Sequence, residues 1–192
     1  MIMDMNIQEE YQILIHKLNN GETLSNDERK WLSSHPIESN TYKYPWIIGD
    51  MIPLGSDTTY AVTIKCNNFN QEHPIVPTLS IPFGKEGYIQ LAGIAGVDRN
   101  VKTEKKSTKL SFRMIGGITA IARCVSESGL LMVSYQGWVP DAKPFPLWYE
   151  SINCERFAMK KTLISENMVQ YDCRGADGTE NAFSFTVNWY PV

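Results

Sequence analysis

Three carboxylates, Asp141, Glu150 and Glu155, lie in or beside a segment with four aromatic residues and three prolines, Trp138-Val-Pro-Asp-Ala-Lys-Pro-Phe-Pro-Leu-Trp148-Tyr149. Carboxylates flanking a sugar stacked on aromatic rings would suit glycoside hydrolysis. That chemistry needs a set separation across the substrate, which spacing along a β-rich chain does not define. Cys154 would need a histidine as base, and His16, His35 and His73 are scattered over three segments with no nucleophile signature and no paired-ligand spacing. The four cysteines, Cys66, Cys124, Cys154 and Cys173, form no C-x-x-C pair. They are expected as reduced thiols, several of them acting as small buried hydrophobes, with one or two disulfides as the alternative in an oxidising compartment. There is no G-x-S-x-G elbow, and Ser126-Glu-Ser-Gly129 has turn chemistry. Gly93-Ile-Ala-Gly96 lacks the lysine and following helix of a phosphate loop, and Gly116-Gly117 reads as a turn or bulge. The expectation is a protein that is not an enzyme and has neither cofactor nor metal.

The aromatic segment supports binding chemistry instead. Tryptophan and tyrosine rings on a proline-stiffened loop can stack on sugars, sit at a lipid headgroup boundary or anchor a protein partner. They can equally fold back and cap the protein's own core. A second group, Tyr42, Tyr44 and Trp46 around Pro45, stands at the start of the β-rich region. The candidate ligand-binding residues are Trp138, Phe145, Trp148, Tyr149, Tyr44 and Trp46. Residues 98–109 carry Arg99, Lys102, Lys105, Lys106 and Lys109 against Asp98 and Glu104. No aromatic residue interleaves with these cations, so a solvated loop with edge lysines is expected rather than a nucleic-acid contact. The net charge of −3 likewise supplies no global attraction to polyanions.

The elements that position these residues follow from hydrophobic period. Ile7, Tyr11, Leu14, Ile15 and Leu18 fall on one helical face, with Asn6 and Glu9 as an N-cap pair and Asn20-Gly21 as the stop. Ser25-Asn-Asp-Glu28 is a capping box opening a second helix with Trp31 and Leu32, which His35-Pro36 ends. Its cations are too few for a DNA-reading helix. From Tyr42 the period becomes two: Tyr60, Val62, Ile64 and Cys66 alternate with polar neighbours, as do Phe183, Phe185, Val187 and Trp189. Ile75, Leu79, Ile81 and Phe83 share a parity, but Pro74, Pro77 and Pro82 suggest an edge strand or an extended connection. Residues 87–97 read as a close-packed strand with a bulge at its glycines. Residues 118–125 and 130–135 read as a hairpin, as do the strands flanking residues 174–178.

The predicted architecture is mainly β: an antiparallel β-sandwich of about nine strands over residues 37–192, preceded by a short N-terminal helical hairpin at residues 1–36. The order Gly116-Gly-Ile-Thr-Ala-Ile-Ala, Gly129-Leu-Leu-Met-Val-Ser-Tyr, Trp138-Val-Pro and Leu147-Trp-Tyr resembles the succession of features in actinoporin-like pore formers and fungal fruit-body lectins. The resemblance implies a sandwich with lipid or glycan binding and assigns no residue a role. The leading functional expectation is a non-enzymatic recognition protein that binds a partner protein or glycan through the aromatic and proline loop. The alternatives are a membrane-active β-sandwich with a lipid surface as partner, and a structural or oligomerising protein. Nucleic acid is not an expected partner. With no signal peptide or membrane span legible, the default compartment is the cytoplasm.

Overall fold

Among the described residues, the two-residue period becomes twelve strands joined in one antiparallel sheet. In the computed structural model, residues 5–56, 58–69, 74–82, 86–95, 105–112 and 119–192 are described. The strands are β1 (Ile37–Glu38), β2 (Trp46–Pro53), β3 (Tyr60–Phe69), β4 (Ile75–Ser80), β5 (Gly87–Ala95), β6 (Lys109–Ser111), β7 (Thr119–Ser126), β8 (Leu130–Val139), β9 (Leu147–Glu150), β10 (Met159–Ser165), β11 (Met168–Cys173) and β12 (Phe183–Pro191). Their spatial order is β5-β7-β3-β12-β11-β10-β2-β8-β4-β6, with β1 beside β2 and β9 beside β8. The ends of this path meet: Ile89 N–H donates to Ser107 O at 2.6 Å and Ser107 N–H to Ile89 O at 2.9 Å.

The sheet is therefore a nearly closed barrel, which corrects the expected sandwich of about nine strands. Two features produce the difference. Strand β2 belongs to both halves, pairing with β10 at Trp46 and Ile47 and with β8 at residues 50–53, so the halves are never separate layers. Residues 126–129 do not join a hairpin either. Strand β7 pairs with β3 and β5, whereas β8 pairs with β2, β4 and β9, so the turn carries the chain from one half of the barrel to the other. Gly129 makes that crossing with φ +69°, and an added Cβ would lie 2.5 Å from Arg29 Cδ. Both the backbone conformation and the close approach exclude a side chain there.

Strand β4 is a second correction: it lies between β8 and β6 rather than at an edge. Proline is tolerated because Pro77 O accepts from Phe112 N–H at 2.8 Å, so the imide nitrogen faces the same way, beyond the three-residue ladder with β6. Only the reciprocal bond to Phe112 O, at the end of that ladder, goes unmade. Strand β5 carries the expected bulge, between Leu91 and Gly93, and β11–β12 is the expected hairpin. Inward side chains from all parts of the sheet, including Val62, Ile64, Leu79, Val133, Tyr171, Phe183 and Phe185, form one core. Cys66, Cys124 and Cys173 are buried in it, Cys124 and Cys173 as free thiols, and burial pushes the Cys124 thiol up to about 12. His73, Phe83, Gly96, Met114, the Gly116-Gly117 pair and the start of the strand expected from Ile118 lie outside the described residues.

The helices are α1 (Met5–Asn19) and α2 (Asn26–Ser34). Helix α1 includes Asn6 in its first turn, and ends in paired bonds from Gly21 N–H to Leu18 O at 3.1 Å and Glu22 N–H to Lys17 O at 3.0 Å. The capping box of α2 is formed by Ser25 and Glu28 as the sequence predicts. Leu14, Leu18, Leu24 and Leu32 pack with Met51 of β2 and Leu130 of β8 in a second cluster. An ion pair between Lys17 and Glu28 joins the two helices and holds the Glu28 carboxyl below its usual range. Among the described residues no helix is long and apolar enough to cross a membrane.

Where β2 and β8 are not directly bonded, Ser151 connects them. Its Oγ donates to Ile48 O at 2.7 Å and accepts from Tyr135 N–H at 3.2 Å. Ser151→Ala should cost about 1–3 kcal/mol, because a buried and a half-buried backbone group lose their partner. Chemical denaturation with an unchanged m-value is the check, and a cost near zero would show that neither bond matters.

Candidate functional site

The aromatic segment divides between the surface and the interior. Strand register places Trp138 opposite Trp148 and Gly137 opposite Tyr149. The alternation of β8, with Tyr135 and Val139 buried in the core, puts the Trp138 side chain on the outer face. There the half-buried indoles pair with centroids 5.5 Å apart. Tyr149 is half-buried and packs against the core from the other face. Phe145, at the loop tip, is 58% exposed. It is the segment's sole exposed large hydrophobic residue. The segment's carboxylate is engaged too: Asp141 holds the Arg156 guanidinium through both oxygens, which keeps its carboxyl below the usual range. Glu150 pairs with Lys109, and Glu155 is exposed.

The second aromatic group is a stack of rings and cations. The Arg174 guanidinium lies 4.0 Å from the Tyr42 ring centroid and 4.2 Å from that of Trp46, while Lys160 Nζ sits 4.5 Å over Trp46. Desolvated cations over ring faces gain from the ring quadrupole. Trp46 is buried and so presents little surface to a ligand. Tyr42 Oη donates to Arg156 O at 3.3 Å, so residue 156 links this stack to Asp141 of the first segment. In the cationic stretch, Lys106 lies 4.1 Å over the Tyr88 ring, while Arg99, Lys102, Asp98 and Glu104 lie outside the described residues.

A broad concavity lies elsewhere, between α2 and the barrel. It is a groove of about 1030 Å³. Its walls come from α2, the ends of β2 and β12, and the β10–β11 turn. Of the six candidate residues it is lined by Tyr44 alone; Trp46, Trp138, Phe145, Trp148 and Tyr149 do not reach it. Pro36, Pro45, Pro53 and Pro191 stiffen the walls, and Tyr60, Trp189 and Tyr190 add rings. The groove opens where β2 and β10 diverge. Their last pair is Lys160↔Trp46, because β2 begins at Trp46 and the chain before it leaves the ladder.

A charged group closes the bottom of that divergence. Lys161 shares the inward parity of Met159 and stands opposite Tyr171 of β11. Its Nζ lies 2.9 Å from one oxygen of Asp50 and 3.0 Å from the other, and it donates to Ser33 O at 3.1 Å. Tyr171 Oη donates to Asp50 at 2.6 Å, and Met51 N–H at 3.0 Å. Asp50 is fully buried, and burial raises its carboxyl above the ordinary range against the pull of Lys161 and Tyr171. Burial also raises the Tyr171 hydroxyl, so that it remains a neutral donor. Lys161 lines the groove with its ammonium already held by three oxygens.

The candidate list contains neither Asp50 nor Lys161. The trace in the sequence is faint: Asp50 is the single ionisable residue in Trp46-Ile-Ile-Gly-Asp-Met-Ile-Pro53. A charge in an otherwise apolar strand needs a partner, but the sequence does not name which. No protein-family model matches this chain, and no curated protein matches it.

Proposed function

We propose that this chain is a non-enzymatic recognition protein and that the groove between α2 and the barrel holds an extended segment of a partner protein. The observation that carries this reading is where the exposed apolar side chains lie. Tyr44 is 74% exposed, Leu163 67% and Tyr190 45%, and all three line the groove. Ile164 and Val192, also exposed, are close neighbours of groove residues in the chain. Exposed apolar side chains gathered around one concavity mark an interaction site, whereas scattered ones need no explanation. Aromatic and proline walls suit an extended chain because they are already rigid and lose little entropy on binding.

Less supports the loop at residues 138–149 as the seat. Its two tryptophans cover one another and Phe145 alone projects, which also leaves a lipid-facing role with one anchor. The test uses a phage-displayed library of random peptides selected on the full chain. Peptides bound by the wild type should lose at least about tenfold in affinity to the Tyr44→Ala, Tyr190→Ala double variant, as expected when two aromatic anchors are truncated. Its melting temperature should be unchanged. Selected peptides that bind the double variant equally well would place recognition elsewhere.

A further inference from the structure

Strand β10 has an edge that opens on the groove. Its register with β11 runs from Met159↔Cys173 through Leu163↔Val169, and Arg174 N–H donates to Ala158 O at 2.9 Å. In an antiparallel ladder the N–H and C=O of one residue point to the same side, and that side alternates along the strand. Ala158 faces β11, so Lys160 and Thr162 do as well. The backbone groups of Met159, Lys161 and Leu163 face the other way. Met159 meets Ile47 of β2 there, but past Lys160↔Trp46 no strand continues the ladder among the described residues. Lys161 still has Pro45, the residue before β2, opposite it, whereas the amide and carbonyl of Leu163 face the groove that both residues line.

Exposed strand edges are usually blunted by charge or proline. On this edge the one lysine, Lys161, is engaged by Asp50, and the residues that follow include the exposed and apolar Leu163 and Ile164. Charge on the walls is lopsided: Arg29, Lys30 and Lys161 stand against Glu166. Arg29 already donates to Leu24 O and Asn26, whereas Lys30 is exposed on α2 and holds no acidic partner among the described residues.

Accepting the groove as the recognition site, we infer that it takes its partner by strand addition. An extended segment pairs with the free edge of β10 at Leu163 and turns an acidic side chain toward Lys30. Main-chain bonds supply affinity in this mode, and the wall facing α2 supplies the preference for charge.

The probes are peptides selected from a random phage-displayed library on the full chain and then synthesised. They should be enriched in Asp and Glu, and Lys30→Glu should abolish that enrichment. On binding, the amide of Leu163 should become protected from hydrogen exchange. Leu163→Pro removes a donor that β11 does not use, so the fold should persist while affinity falls at least about fivefold, the equivalent of one hydrogen bond. Leu163→Thr keeps that donor and should retain more affinity than the proline variant. If bound peptide leaves the Leu163 amide unprotected, or the proline variant binds normally, strand addition is wrong while the groove reading stands. If no selected peptide responds to the Tyr44 and Tyr190 substitutions, the groove reading fails and this inference with it. A dimer of the wild type that Leu163→Pro dissociates would give the edge to a second copy and overturn the assignment to a partner. Should the proline variant not fold, exchange in the wild-type complex decides the matter.

Discussion

Lys161→Ala is expected to destabilise the chain by about 3–5 kcal/mol at neutral pH, the usual cost of leaving one member of a buried ion pair without its partner. Asp50 is 0% exposed, so its carboxylate depends on the partners that the fold supplies. Tyr171 and the Met51 amide would remain as neutral donors to a carboxylate with no counter-charge. The cost should shrink as the pH is lowered, because a protonated Asp50 needs no cation. Urea unfolding at several pH values measures this, and a cost independent of pH would show that the pair is not ionised. Replacing all three groups together, Asp50→Leu with Lys161→Met and Tyr171→Phe, should recover most of the loss, since apolar residues of similar volume have no charge to desolvate.

The sign of the wild-type dependence follows from the same geometry. Burial holds the native Asp50 carboxyl above the ordinary value of 3.8. The folded state therefore keeps a proton that the unfolded state has released, and the Asp50 contribution to stability declines as pH rises from about 3.8 through the native value. Asp141 and Glu28 act in the opposite sense, their carboxyls being lowered by Arg156 and Lys17, so that their contributions decline as pH falls. Comparison with Asp50→Asn isolates the first effect: the difference curve should slope downward with pH across that window. A flat difference would mean that Asp50 titrates alike in both states.

Phe157→Ala is expected to cost about 3–5 kcal/mol, the range for removing a large aromatic side chain from a core. Phe157 is fully buried, meets Tyr135 edge-on at 5.5 Å, and lies against the face of Gly137. A Cβ on Gly137 would come within 2.3 Å of the ring, so Gly137→Ala alone should also destabilise strongly through overpacking. The two changes share one space and should not add. The methyl group of the double variant occupies room that the ring has vacated, and the double variant should be more stable than the sum of the single costs by a coupling of about 0.5–3 kcal/mol. Additive costs in denaturant unfolding would contradict this packing. The contact also accounts for the loop above it: the ring lies under the point where β8 meets β9, so its loss should loosen the Trp138 and Trp148 pair, visible as a change in near-ultraviolet circular dichroism.

What the sequence determined by itself was local. The capping box at Ser25 and Glu28, the stop after α1, the bulge at Gly93 and the hairpin between β11 and β12 all rest on residues close together in the chain, where residue type and spacing restrict the backbone directly. Period two established strands with one buried face, hence a mainly β fold. It did not establish which strands pair, because a strand's alternation is the same in a sandwich as in a barrel. The good turn chemistry of residues 126–129 could not reveal that its flanking strands belong to opposite halves, nor could Pro77 reveal that its missing donor points past the end of β6. The aromatic loop was conspicuous in the sequence because its residues are contiguous. The groove was not, because Tyr44, Leu163 and Tyr190 come from distant parts of the chain and meet only where β2 and β10 diverge. Asp50 and Lys161 likewise acquire their relation from that divergence, which is a property of the closed sheet and of no local segment.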